Sequence, residues 1–242
     1  TIRAAKALHH QGGRPNLFIK IPGTPEGLPA IEDCIAAGVS INVTLLFSRD
    51  QYIAAAEAYL RGVERRIDAG LQPDVCSVAS VFVSRWDKAV MGKVPEDLRG
   101  QLGIAVAKQT YRSYRELLDS PRWERLENAG ARPQRLLWAS TGTKDPQASD
   151  VLYIESLAAP LTVNTMPEET LLAFANHGSV RPALPRDGGD AEKLLARFAK
   201  AGVDHDALAA QLQKEGADAF VQSWNDLLSV IATKSETLRK AG

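Results

Sequence analysis

A chain of 242 residues, 45% hydrophobic and 24% charged, has the length and balance of one globular α/β domain or two small ones. Its 29 basic and 29 acidic residues cancel to a formal net charge of zero, so neither nucleic acid nor a membrane surface is an expected partner. No apolar run approaches the roughly eighteen residues of a membrane span and the N-terminus does not read as a signal peptide.

In chain order, Thr1 to His10 reads as a helix stopped by Gly12 and Gly13, with Ile2, Ala5 and Leu8 on one face. Leu17 to Ile21 follows as a short covered strand, ended by the turn residues Pro22 to Pro25. A helix is expected over Leu28 to Ala37 before Gly38, then a strand over Ser40 to Leu46. Ser48 is the candidate N-cap of a helix from Arg49 to Gly70. Val75 to Val83 is the third strand, and after a charged, Pro/Gly-punctuated segment come helices over Arg99 to Leu118 and around Trp123 to Ala129. Arg135 to Ala139 and Leu161 to Asn164 read as strands, separated by a short helix near Asp150 to Ala158. Arg181 to Gly189 reads as a loop, and Asp204 to Leu238 as one or two helices docked on the sheet or over its open end. Strands alternating with helices predict repeated βα units and a parallel sheet. Cys34, on a predicted helix, and Cys76, at a strand start, lack the spacing of a metal site or redox pair and read as buried, reduced thiols in a cytoplasmic protein.

One lysine breaks the apolar pattern of the first strand. Lys20 must either reach water along its stem or occupy a cavity that alters its protonation. An ordinary lysine is almost wholly protonated at neutral pH, so a nucleophilic one has to be desolvated or set near another positive centre. Period-two alternation puts Phe18 and Lys20 on one face, Asn42 and Thr44 together on one face of the second strand, and Ser80 with Phe82 on one face of the third. Ile41, Val43 and Leu45 take the opposite face of the second strand, as Val81 and Val83 do in the third. A doubly wound sheet wants hydrophobics on both faces, whereas a barrel collects polar groups in one lumen, so the pattern predicts a barrel. Lys20, Thr44, Ser80 and Ser140 fall at the C-terminal ends of strands, where such barrels place their active sites.

Five stretches carry a family resemblance: FIKIPGTPEGL from Phe18 to Leu28, INVTLLFS from Ile41 to Ser48, ASVFVSR from Ala79 to Arg85, WASTGTK from Trp138 to Lys144, and VNTMPE from Val163 to Glu168. In order and spacing they resemble the transaldolases of the pentose phosphate pathway, over nearly the whole chain. The resemblance implies a TIM-type (β/α)8 barrel whose Schiff-base lysine stands on the fourth strand. This chain would then be the C-terminal part of a single barrel domain, about five strands with residues 190–242 as packing or lid helices, and without the first three strands.

By position, the resemblance makes Lys20 the amine that forms the Schiff base with the ketose donor, Asn42 the amide that bonds the intermediate, and Thr44 the hydroxyl that holds the catalytic water. Ser80 matches a substrate-contacting hydroxyl, Phe82 a pocket wall, and Arg85 and Ser140 the phosphate binders. The best-known branch of the family has an arginine two residues after that serine; Gly142 stands there, and Lys144 is the nearest replacement cation. The family's acid/base carboxylates come from its first and third strands, and Asp74, Asp87 and Asp145 match neither role. The implied activity is transfer of a dihydroxyacetone unit between sugar phosphates, with no metal and no organic cofactor. Two other readings stay open, a noncatalytic sugar-phosphate-binding or scaffolding fragment and a different Schiff-base aldolase. Sugar phosphates are the expected partners, together with the rest of the barrel or a second copy of the chain.

Overall fold

Five parallel strands, each followed by at least one helix, form the frame of the computed structural model, which describes residues 1–241. β1 (Ile19–Pro22), β2 (Ile41–Leu46), β3 (Ser77–Phe82), β4 (Arg135–Ala139) and β5 (Thr162–Asn164) lie side by side in chain order. A doubly wound sheet reverses its strand order at a switch point; this sheet never does, which is the order of a (β/α)8 barrel wall.

α1 (Ile2–Gly12) precedes β1, and α2 (Leu28–Ala36) and α3 (Arg49–Asp68) follow the first two strands. α4 (Ser84–Val90), α5 (Leu102–Leu118) and α6 (Pro121–Asn128) lie between β3 and β4, and α7 (Leu152–Leu157) between β4 and β5. α8 (Glu168–His177), α9 (Ala191–Lys200) and α10 (His205–Ala241) complete the chain. Among the described residues, no helix is long and apolar enough to cross a membrane.

Two cores divide the apolar side chains. On the sheet's outer face Ile21, Ile41, Val43, Val81, Leu136 and Trp138 pack against Ile31, Ile35, Tyr52, Tyr59 and Tyr111 of the covering helices. Each such side chain, fully buried, contributes about 1.5–3 kcal/mol of transfer free energy, which is what fixes the register. The second core joins Leu45, Phe47, Phe82 and Leu137 to Trp86, Leu102, Leu195, Phe198 and Leu212. It ties the polar-face ends of the strands to α4, α5, α9 and α10.

Several expectations are corrected. The first strand is shorter than its apolar run: Leu17 and Phe18 lie before it, half-buried, and of its residues only Ile21 is fully buried. Two helices stand where none was expected, α4 and α8, while α9 is a separate helix at the start of the stretch expected to hold packing or lid helices. The helix expected from Arg99 starts at Leu102, because Gly100 turns left-handed at φ 68° after a 3-10 turn over Glu96–Leu98. Cys34 is buried as expected, but Cys76 is only half-buried; both are free. The C-terminal tail is one continuous helix, and it docks only through its first turns: Leu208, Ala209, Leu212 and Ala217 pack on the second core, while Phe220, Trp224, Leu228 and Ile231 are exposed.

Candidate active site

The sheet pairing sets Lys20 opposite Asn42, and Pro22 opposite Thr44. Paired residues of neighbouring strands share a face, so the amine, the amide and, by alternation, the Thr44 hydroxyl line one side. Ser80 joins them: its Oγ donates to Asn42 Oδ1 at 2.7 Å. Thr44 and Ser80 are buried, and Thr44 Oγ1 has no hydrogen-bond partner among the described residues. A buried hydroxyl without a partner is costly, and a site that binds a water or a substrate oxygen supplies the missing bond. Lys20 itself is exposed, the first of the two settings that its place in an apolar strand allowed. Among the described residues β1 is an edge strand of the sheet.

Thr44 owes its setting to a bulge. Between Val43, which pairs with Ala79, and Leu46, which pairs with Val81, β2 carries one residue more than β3. Leu45 absorbs it at φ 59°, a left-handed conformation that costs a non-glycine residue about 1–3 kcal/mol. Simple alternation put Leu45 on the face of Ile41 and Val43; instead Leu46 takes that place in the outer core and Leu45 turns into the second one.

A second cluster forms where β3 and β4 end. Ser140, also left-handed at φ 56°, lies with its Oγ 2.9 Å from Ser84 Oγ, and its carbonyl accepts from Ser84 N at 2.9 Å. Arg85, in the first turn of α4, sets its guanidinium 5.1 Å from the centroid of the Phe82 ring, whose other neighbour is Phe47 at 5.2 Å. Lys144 is exposed, and its Nζ comes within 3.7 Å of where a Cβ on Gly142 would stand. The lysine therefore brings its charge back over the glycine. The Arg85 guanidinium, next in sequence to Ser84, whose hydroxyl pairs with that of Ser140, suits a phosphate, and Lys144 lies on the loop that follows Ser140. A separate hollow lined by Phe18, Val78, Arg132, Arg135 and Cys76 opens toward the other ends of the strands and holds no lysine.

Residues 1–231 match the family model described as Transaldolase/Fructose-6-phosphate aldolase. The chain belongs to that family. It is 48% identical over 240 residues to a transaldolase of Parafrankia sp. and 47% identical over 241 residues to one of Frankia alni; in both comparisons 96% of this chain is covered and 65% of the relative. A transaldolase of Acidothermus cellulolyticus is 45% identical over 248 residues, covering 99% of this chain and 67% of the relative. The chain thus spans about two thirds of the length of the transaldolases it matches.

In this transaldolase-family chain Asp87, two residues after Arg85, ties α4 to its neighbours. Its carboxylate accepts from Tyr153 Oη at 2.8 Å and from the first N–H groups of α5, Leu102 at 2.9 Å and Gly103 at 3.3 Å. Burial raises its carboxyl to about 6, against the pull of those three donors. Asp87 thus caps α5 and joins it to α4 and α7, a structural part that a reading of candidate acids passed over. Thr141 and Asn164 were missed too: Thr141 Oγ1 donates to Asn164 Oδ1 at 2.8 Å and binds the loop after β4 to the end of β5. Both stand inside the WASTGTK and VNTMPE stretches, which was the only signal available.

Proposed function

We propose that the protein is a transaldolase, moving a dihydroxyacetone unit from a ketose phosphate such as fructose 6-phosphate or sedoheptulose 7-phosphate to an aldose phosphate such as erythrose 4-phosphate or glyceraldehyde 3-phosphate. The observation that carries the reading is the row across β1, β2 and β3: Lys20 paired with Asn42, Asn42 bonded to Ser80, and Thr44 two residues on with an unpartnered hydroxyl. Family membership adds the reaction class.

In this reading Lys20 Nζ attacks the C2 carbonyl carbon, and the carbinolamine loses its oxygen as water to give an iminium. The iminium accepts the electron pair released when the C3–C4 bond breaks, while the C4 hydroxyl gives up its proton and leaves as the carbonyl of an aldose. The enamine left on Lys20 then attacks the acceptor aldehyde, and hydrolysis frees the lysine. Asn42 and Ser80 hold the donor hydroxyls, Phe82 walls the pocket, and Thr44 orients the water lost and regained. Arg85, Ser140 and Lys144 bind the phosphate. No residue of this chain is assigned to the C4 proton. We further propose that the chain corresponds to the later β/α units of the barrel, with residues 190–242 as packing or lid helices, and that it acts in the cytoplasm, where its two unpaired thiols stay reduced.

Two other readings are a sugar-phosphate-binding portion without turnover and a different Schiff-base aldolase. Borohydride with fructose 6-phosphate separates the possibilities in the protein as encoded. A reduced adduct on Lys20, absent in Lys20→Met, with turnover that requires an aldose acceptor, supports transaldolase. Adduct with acceptor-independent release of a triose identifies an aldolase, and a folded protein that gives no adduct leaves binding alone.

A further inference from the structure

The inner face of α10 reaches the same strand ends as the proposed chemistry. Gln213 is buried, and its Nε2 donates to two backbone carbonyls on different strand ends, that of Gly23 at 3.1 Å and that of Leu45 at 2.9 Å. Gly23 in turn donates its N–H to the carbonyl of Thr44 at 2.8 Å. One carboxamide therefore closes a loop of contacts around the end of the lysine strand and the residue after Thr44.

Leu45 is the residue that needs holding. Its left-handed backbone accommodates the extra residue of β2, and such a conformation persists only where the surroundings impose it. If the bulge relaxed into regular pairing, alternation would turn the residues beyond it to the opposite face. Gly216 lets the helix lie close enough to prevent this: a Cβ there would stand 2.7 Å from Leu45 Cδ2 and 3.4 Å from Arg85 Nη1.

We infer that Gln213 is a positioning residue for the Schiff-base chemistry, acting through the Thr44–Leu45 bulge, which it pins to the end of β1 so that the Thr44 hydroxyl keeps a fixed place relative to Lys20. The inference rests on the Schiff-base reading above. Gln213→Leu keeps much of the volume and removes both donors; Gln213→Asn keeps the donors and withdraws them by one methylene. In either variant the rate of borohydride-trapped adduct at Lys20 with fructose 6-phosphate, and kcat with it, falls about tenfold to a hundredfold, the scale of a displacement near 1 Å. KM changes by about twofold or less, because the contacts that bind substrate are untouched. Gln211→Ala, exposed on the same helix, leaves both constants alone.

Thr44→Val supplies the deciding comparison, with Tm followed throughout. In that background Gln213→Leu costs little more, because the hydroxyl it aims is gone. Wild-type trapping rates in both Gln213 variants overturn the inference. So does a loss that adds in full to that of Thr44→Val, which is the mark of general loosening. A wild-type protein that forms no adduct instead overturns the Schiff-base reading, and that result is seen before any variant is compared.

Discussion

Arg85 lies half-buried over an aromatic ring, and a planar guanidinium placed in this way presents its donors in a fixed direction. Arg85→Met is expected to lower kcat/KM for fructose 6-phosphate by about 30-fold to 100-fold, the scale of a charge-assisted pair. The corresponding constant for unphosphorylated fructose should hardly move, and an equal loss on both sugars would remove Arg85 from the phosphate end. Lys144, exposed and able to offer only a point charge, should cost about tenfold or less when changed to Met. Asp87 gives a pH signature. Its folded value near 6 lies above that of an unfolded aspartate, so between about pH 4 and pH 6 the folded chain holds more proton at this site. Its contribution to stability is present at the acid end and lost as pH rises through about 6. Asp87→Asn removes that dependence, so urea midpoints of the variant should gain on wild type as pH rises from about 4.5 to 7. A constant offset between the two would show that the carboxyl does not titrate in this range.

The elements divide by how strong a local signal each one has. α3 announces itself: Ser48 Oγ accepts from Gln51 N at 3.1 Å, and Gln51 Oε1 accepts from Phe47 N at 2.7 Å, a near-reciprocal cap written in the sequence as Ser-x-x-Gln. Ser48→Ala should cost about 1 kcal/mol in chemical denaturation, and Ser48→Gly a few tenths. The strands were legible for the opposite reason, a short apolar run between turn residues, and all five lie where that signal puts them. α4 and α8 were not legible. They span seven and ten residues, shorter than the window over which helical periodicity accumulates, and neither has a side-chain cap bond at its first turn. The bulge at Leu45 was invisible as well, because a left-handed leucine is imposed by Gln213 and Gly216 from far along the chain and leaves no local mark. In the site the alternation of polar residues located Asn42, Thr44 and Ser80 correctly on one face. It left the environment of Lys20 open, since exposure depends on which strand lies next door and not on the residues beside the lysine.

At the scale of the molecule, one sheet face is covered by helices and the other carries the polar row, with β1 and β5 as edge strands. The far half of α10 adds a second unsatisfied surface. Phe220, Trp224, Leu227, Leu228 and Ile231 recur at helical spacing, and each is between 44% and 60% exposed. An apolar stripe of this kind and a free sheet edge both favour association, so the 242-residue polypeptide on its own should elute larger than a monomer at micromolar concentration. The tryptophans tell the two contacts apart. Trp86, Trp123 and Trp138 are buried and Trp224 is 60% exposed, so the iodide-quenchable emission belongs to Trp224 and disappears in Trp224→Phe. If the stripe forms the contact, quenching in the wild-type chain weakens as concentration rises, and Leu228→Glu with Ile231→Lys returns the elution volume to that of a monomer. If quenching stays constant while the apparent mass still grows, the chains meet at their strand edges, and lysine or proline placed on the outer side of β1 or β5 would be the change that separates them.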